Sequence, residues 1–346
     1  MPLGGMAAAV RDGALSFSYL DATAFDPFAG LSGTTFHQLS AQTGIPLELL
    51  MVVREAFGFA EPRPEDTVHQ NELKIVPAIE LQLAKGFHPA VIERWLRVCG
   101  DSLRRIAETE TAGWHSEVMM PLLASGMTEG EMLEAQADLG SQMAPLREQV
   151  LLAIYHGQQE HTWNRETIEH VEDLLERAGL YRRLERPPAM CFLDLTGYTR
   201  LTEERGDEAA AELAARLAGL VRRSAQEHDG LPVKWLGDGV MTYFRAPADA
   251  VLAALEMVEM VGRQGLPPAH VGIHAGPVVF QEGDYFGRTV NLAARIGEYA
   301  RPGEVLVSRE VVDAVDGGPV TFTEVGPVEL KGVPGPLRLH IARRSA

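Results

Sequence analysis

Two kinds of apolar spacing divide the chain. Up to about residue 180, apolar residues recur at three- and four-residue intervals, which puts them on one face of an α-helix. Such intervals cover 78–84, 89–98, 103–109 and 131–143, and Gly86, Gly100, Gly126 and Pro145 punctuate them. The best-defined run, 164–179, carries Ile168, Val171, Leu174, Leu175 and Ala178 on one stripe. Asn164 suits its N-cap, Glu166 its positive N-terminus and Gly179 its stop. Beyond Pro187, short strand-like runs alternate with helical stretches. Strands are expected at 189–195, 270–281, 304–308, 320–330 and 337–342. Helices are expected at 208–227, 248–262, 287–300 and 309–315. Between the first two of these helices, apolar runs flank a Gly237-Asp238-Gly239 tip, the signature of a β-hairpin.

This βαββαβ order predicts an antiparallel sheet with helices on one face, in the ferredoxin-like manner. The fold class is therefore α+β, an all-α first half followed by a ferredoxin-like domain. Residues 1–30, rich in Gly, Ala and Pro without a period, read as a flexible arm. A helical domain is expected over 31–163, a linker helix and a basic, Pro-terminated joint over 164–186, and the second domain over 187–346. Within the first half, 37–50 reads as helix, Gly-containing turn, helix, which resembles a helix-turn-helix element. Its second helix offers Leu47, Leu49, Leu50, Met51, Val52 and Val53 with little basic charge for phosphates, so an ordinary αα-hairpin is the favoured reading.

Composition narrows the function. At 346 residues the chain exceeds what one core usually spans, so two domains are expected. A net charge of −17 argues against nucleic acid as a partner and suits divalent cations. The two cysteines, Cys99 and Cys191, form no framework and no CxxC site, which points to a reducing, cytoplasmic setting. The first ten residues lack a basic n-region, and no apolar run is long enough for a membrane span. His37, His69, His88, His115, His156, His161 and His170 fall in the first half, where histidines titrating near neutrality would report pH.

Four blocks in the second half carry a family resemblance. They are 192–199 (FLDLTGYT), 234–239 (KWLGDG), 283–295 (GDYFGRTVNLAAR) and 329–332 (ELKG). In this order, over about 187–344, they resemble the signature blocks of class III nucleotidyl cyclases. The resemblance implies a catalytic domain that makes a cyclic nucleotide as a homodimer, with composite sites at the subunit interface. Asp194 and Asp238 match the family's two metal-binding aspartates, and the Leu195 carbonyl would add a backbone ligand. Such hard oxygens suit two Mg²⁺ or Mn²⁺ ions. Gly197 would let backbone N–H groups approach the phosphates at a helix N-terminus; otherwise it is a tight turn.

Asn291 and Arg295, four residues apart on one helical face, match the transition-state pair, and Lys331 the triphosphate-binding lysine. Lys234 and Asp284 match the pair that selects ATP. A lysine donates to adenine N1 and a carboxylate accepts from N6, whereas guanine presents the opposite polarity. The helical first half, through its organisation and the Gly44-Ile45-Pro46 region, resembles the regulatory domain that precedes some bacterial cyclases of this class, inhibits them and responds to pH. The expectation is an adenylate cyclase, with ATP as substrate. A guanylyl cyclase, a catalytically silent nucleotide-binding module and a DNA-binding regulator fused to a cyclase fold are the alternatives.

Overall fold

The computed structural model describes residues 3–11, 30–127, 129–180, 187–315 and 318–345. The chain divides into two units, Met1–Tyr181 and Arg182–Ala346. In the first, Leu3–Arg11 forms helix α1. A flexible arm is expected there, but the Ala7-Ala8-Ala9 run has the highest helix propensity of any residue type. The rest of that arm, 12–29, lies outside the described residues.

Strands β1 (Leu31–Thr35) and β2 (Thr67–His69) pair antiparallel. Thr35 then caps α2 (Phe36–Thr43) reciprocally. Its Oγ1 accepts from the Gln38 N–H at 3.2 Å, and Gln38 Oε1 accepts from the Thr35 N–H at 3.0 Å. Gly44, at φ 73°, ends α2 in the left-handed conformation. In α3 (Leu47–Ala56), Leu49, Leu50, Val52 and Val53 are buried against Phe36, Leu39, Ile79 and Ile92. The second helix of the helix-turn-helix-like stretch thus faces a core, as an αα-hairpin does. Across α4 (Gln70–Leu73), Glu72 is buried and takes the Arg54 guanidinium at 2.6 and 2.8 Å and the His69 N–H at 2.6 Å.

After α5 (Val76–Ala84), α6 runs unbroken over Pro89–Trp114, through the Gly100 expected to punctuate it. That glycine serves packing. A Cβ there would lie 2.7 Å from the Ala56 carbonyl oxygen, so its absence lets α6 close on the end of α3. A five-residue π-helical turn, His115–Met119, leads to α7 (Met120–Ala124). Next, α8 spans Glu129–Arg177 as one 49-residue helix where two separate ones are expected. It contains Pro145, and Asn164 is an interior position rather than a cap. The intervening Leu-, Gln- and Glu-rich sequence sustains helix without a break. Ile168, Val171, Leu174 and Leu175 on α8 stand exposed. Among the described residues, no helix is long and apolar enough to cross a membrane.

The second unit begins with β3 (Ala189–Leu195), α9 (Tyr198–Arg205), α10 (Asp207–Glu227), β4 (Gly230–Leu236), β5 (Gly239–Phe244), α11 (Pro247–Arg263) and β6 (Ala269–Ala275). It continues with β7 (Val279–Gln281), β8 (Asp284–Phe286), α12 (Arg288–Tyr299), β9 (Val305–Ser308), α13 (Arg309–Ala314), β10 (Val320–Val328) and β11 (Leu337–Arg344). Seven strands make one sheet in the order β10-β11-β9-β6-β3-β5-β4. It is mixed rather than antiparallel, because β6 and β9 run parallel. The single strand expected at 270–281 is also broken. Gly276 and Pro277 end β6, and β7 pairs with β8 in a separate two-stranded ribbon. Proline has no N–H with which to continue a ladder.

Helices cover both faces of the sheet, not one. Alternate residues of a strand point to opposite sides. Ala189, Cys191, Leu193 and Leu195 of β3 pack with Leu217 and Leu220 of α10 and Ala254 and Met257 of α11. Met190 and Phe192 pack the other way, with Met241 of β5 and Ala293 of α12. A Cβ at Gly272 of β6 would fall on the Gly297 backbone of α12, so this pair of glycines sets how closely α12 lies. The α12 face is the one that carries the candidate chemistry.

Candidate active site

The site is built from three groups of side chains. The first stands at the end of β3. Asp194 shares the parity of Met190 and Phe192, so it belongs to the α12 face. Its neighbour β5 is in register, Leu193 opposite Val240, which brings the tip of the β4–β5 hairpin alongside. Gly237, at φ 73°, makes the turn and Asp238 occupies it, partly buried. A Cβ at Gly239 would lie 2.9 Å from Asp194 Oδ1 and 3.0 Å from the Leu193 carbonyl, so only glycine admits the Asp194 carboxylate here. Burial and, next, the charge of Asp238 push the Asp194 carboxyl above the usual range, while His270 and the Leu195 N–H pull it down. His270 stands opposite Asp194 in the β3–β6 ladder, with Nε2 3.7 Å from Asp194 Oδ2 and Nδ1 3.2 Å from Thr196 Oγ1.

Two crowded carboxylates, one resisting ionisation, suit a divalent cation, which relieves their repulsion. Among the described residues, no three His, Cys, Asp or Glu side chains gather into a ligand set. Further protein ligands would come from backbone, and Leu195, last in β3, is adjacent. Gly197, at φ 80°, immediately precedes α9, whose N-terminus opens just after Asp194 in the chain.

The second group joins the hairpin to the β7–β8 ribbon. Lys234 Nζ donates to Asp284 Oδ2 at 3.1 Å, and the Tyr285 N–H donates to Asp284 Oδ1 at 2.8 Å. The Tyr285 ring stacks on Tyr243 of β5, centroids 4.5 Å apart and planes 8° from parallel. Sequence reasoning passed over both tyrosines. Their signal was one aromatic residue on each of two strands, which becomes a pair only once the ribbon folds back.

The third group lies along α12. Buried Thr289 ties the helix start to the loop after β6, its Oγ1 donating to the Pro277 carbonyl at 2.7 Å. Asn291 and Arg295 share a face and, with Glu298 and Lys331, line a cleft of about 340 Å³. Lys331 follows buried Leu330 in the β10–β11 connection. Arg295 Nη1 donates to both Glu298 oxygens, at 2.7 and 2.6 Å. Glu298 was not singled out from sequence, although its three-residue spacing from Arg295 is the mark of a helical ion pair. Among the described residues, no hydrogen bond or ion pair joins the Asp194–Asp238 pair to Arg295 or Lys331. One chain thus presents an acid pair suited to a divalent cation, a donor–acceptor pair suited to a purine edge, and a separate basic cleft suited to phosphate.

The family model of the adenylate and guanylate cyclase catalytic domain matches residues 185–343. That of the adenylate cyclase regulatory domain matches residues 25–161. The chain is 31% identical over 316 residues to a pH-sensitive adenylate cyclase of Mycobacterium tuberculosis, a match covering 89% of this chain and 78% of that one. It is 26% identical over 272 residues to an adenylate cyclase of Streptomyces coelicolor, covering 78% of this chain and 68% of that one. Among solved structures, the adenylyl cyclase CyaB from P. aeruginosa is similar at 25% identity and a TM-score of 0.42, covering 46% of this chain and 95% of that one.

Proposed function

This chain belongs to the class III adenylate cyclase family, and from that premise we propose that it converts ATP to 3′,5′-cyclic AMP and pyrophosphate at sites completed by a second copy of itself. The observation that carries the reading is the pairing of Asp284, on the β7–β8 ribbon, with Lys234, which sits on the same hairpin as Asp238. It couples a purine-reading donor and acceptor to a cation-binding acid pair.

In the reaction the ribose 3′-oxygen forms a bond to the α-phosphorus. The bond from that phosphorus to the bridging oxygen breaks, its electron pair leaves with pyrophosphate, and the 3′-proton passes to solvent water. Asp194, Asp238 and the Leu195 carbonyl would hold two divalent ions. When bound, such ions acidify the attacking hydroxyl and offset phosphate charge. The protein's own part is orientation and charge. Lys234 donates to adenine N1 and Asp284 accepts from N6. Backbone N–H groups after Gly197 face the phosphates at the α9 N-terminus. Lys331 holds the triphosphate, Asn291 orients the ribose, and Arg295 exchanges Glu298 for the developing charge on phosphorus.

Two copies are invoked because Arg295 and Lys331 line a cleft of their own on this chain. The exposed apolar stripe of α8 is further surface suited to self-association. The similarity to a pH-sensitive relative extends across both units, which supports control of the catalytic unit by the first, through pH. The absence of a disulfide framework supports a cytoplasmic setting. Cyclic AMP formation from ATP with Mg²⁺ or Mn²⁺, measured beside GTP turnover, tests the proposal. Product from ATP, lost on Asp238→Ala, supports it; preferential use of GTP makes the chain a guanylyl cyclase instead.

A further inference from the structure

Asp284 and Tyr285 sit on a ribbon that is not hydrogen-bonded into the seven-stranded sheet. Each of its strands has three residues, and a two-stranded ribbon of that size is marginal alone. Side-chain contacts must therefore fix where Asp284 lies relative to Lys234. The ion pair between them is a weak anchor, because the Lys234 side chain is 55% exposed. The ring contacts are better placed. Tyr243 is on β5, hydrogen-bonded to the β4 strand that carries Lys234. The Tyr285 ring lies flat on Tyr243, and Phe280 of β7 meets Tyr285 at 5.0 Å and 54°. Both tyrosines pack against the cluster of Met190, Met241 and Ala293, continuous with α12. The backbone N–H of Tyr285 also donates to Asp284 Oδ1. One residue thus anchors the ribbon and orients the carboxylate.

We propose that Tyr285 is a positioning residue for purine selection: stacked on Tyr243, it holds the Asp284 carboxylate at the spacing from Lys234 that reads the adenine edge. The inference rests on the reading of Lys234 and Asp284 as the purine-selecting pair. Discrimination by hydrogen bonds requires that donor and acceptor stay in place when the wrong base enters. An unstacked ribbon would let Asp284 move away from guanine's mismatched edge, so the penalty on GTP would fall.

The test compares kcat/KM for ATP and for GTP in the full chain, with folding checked by thermal melting. Tyr285→Leu keeps apolar bulk without a ring, and Tyr285→Phe keeps the ring. Tyr285→Leu is expected to lower the ATP-to-GTP ratio by about three- to tenfold, the range to which a ring stack converts. Tyr285→Phe is expected to leave the ratio unchanged, and Tyr243→Leu to reproduce the Tyr285→Leu drop from the opposite ring. Should Tyr285→Leu fail to fold, Tyr243→Leu decides on the same ratio. Equal losses for both nucleotides, with the ratio intact, would overturn the proposal, as would a Phe variant as permissive as Leu. Lys234→Glu combined with Asp284→Cys separates the two levels. If that double variant leaves the ratio unchanged, the purine-pair reading falls and the proposal with it. If it shifts the ratio while the tyrosine variants do not, the proposal alone falls.

Discussion

Lys234 donates to Asp284 across 3.1 Å although 50 residues separate them in the chain. The first sits on a strand of the main sheet, the second on a ribbon outside it. Reversing the pair's polarity with Lys234→Glu and Asp284→Cys should lower the ATP-to-GTP ratio of kcat/KM by about a hundredfold or more, since a hydrogen-bonding site rejects its mismatch strongly. Steady-state rates with each nucleotide measure this, and an unchanged ratio would refute the assignment of that pair.

Much of this site was legible in the sequence because its residues stand in short blocks whose elements formed as read. Asp194 ends a strand, Asp238 caps a hairpin, and Asn291 and Arg295 share a helical face. What escaped was set by contacts between distant segments. Periodicity shows that residues alternate along β3, but not that α12 covers one side of it and α10 and α11 the other. Gly100 looks like a helix break and is a close approach to Ala56. Asn164 has an N-cap's chemistry, yet helix on both sides of it leaves no end to cap. Burial also pushes two histidines of the catalytic unit, His274 and His340, below the usual range, which their place in the sequence does not announce.

Asp194 illustrates a site that costs stability for function. Its carboxyl is raised by burial and by Asp238, so ionising it works against the folded state. Asp194→Asn should raise Tm in metal-free buffer near pH 7 while abolishing turnover. It should also reduce the rise in Tm that Mn²⁺ gives the native chain. Differential scanning calorimetry with and without Mn²⁺ checks both; an Asn variant that melts lower, with its metal response intact, would exclude Asp194 as a ligand.

The buried histidines fix a pH trend. His274 Nδ1 lies 2.8 Å from Ser308 Oγ. Burial lowers its pKa, Glu310 opposes that, and Arg288 adds to it. Burial likewise lowers His340, where Glu324 and Asp313 oppose and Arg309 and Arg338 add. Between their folded pKa values and about 6.5, the unfolded chain binds more protons than the folded one, so stability rises with pH across that window. It is fully present above that window and is lost as pH falls through it. Melting of the catalytic unit should drop on acidification from pH 7.5 to 5.5 (the span around an ordinary histidine), and His274→Gln should flatten the drop. A slope untouched by the substitution would remove His274 from the account.

This trend also provides a control for regulation. If the first unit transmits pH, the activity profile of the full chain between about pH 5.5 and 8 should differ from that of a truncated chain starting near Arg183. Coincident profiles would assign any pH response to the catalytic unit itself.

In the first unit, Glu72 is 1% exposed and accepts from Arg54 and from the His69 N–H. Removing one partner of a buried pair strands the other charge. Glu72→Ala should therefore cost about 3–5 kcal/mol of that unit's stability. Denaturant unfolding of the full chain, following the first unit's transition, tests this; a loss below about 1 kcal/mol would mean that the pair is solvated like a surface one.

In the proposed dimer the acid pair of one copy works with the Arg295 cleft of another. Asp194→Ala and Arg295→Ala should each abolish cyclic AMP formation. When the two are co-expressed, half the dimers are mixed, and each mixed dimer keeps one intact site of two. About a quarter of the native activity should return, as two-fold symmetry requires. If the mixture stays as inactive as its parts while both variants remain folded, the sites are not shared between copies.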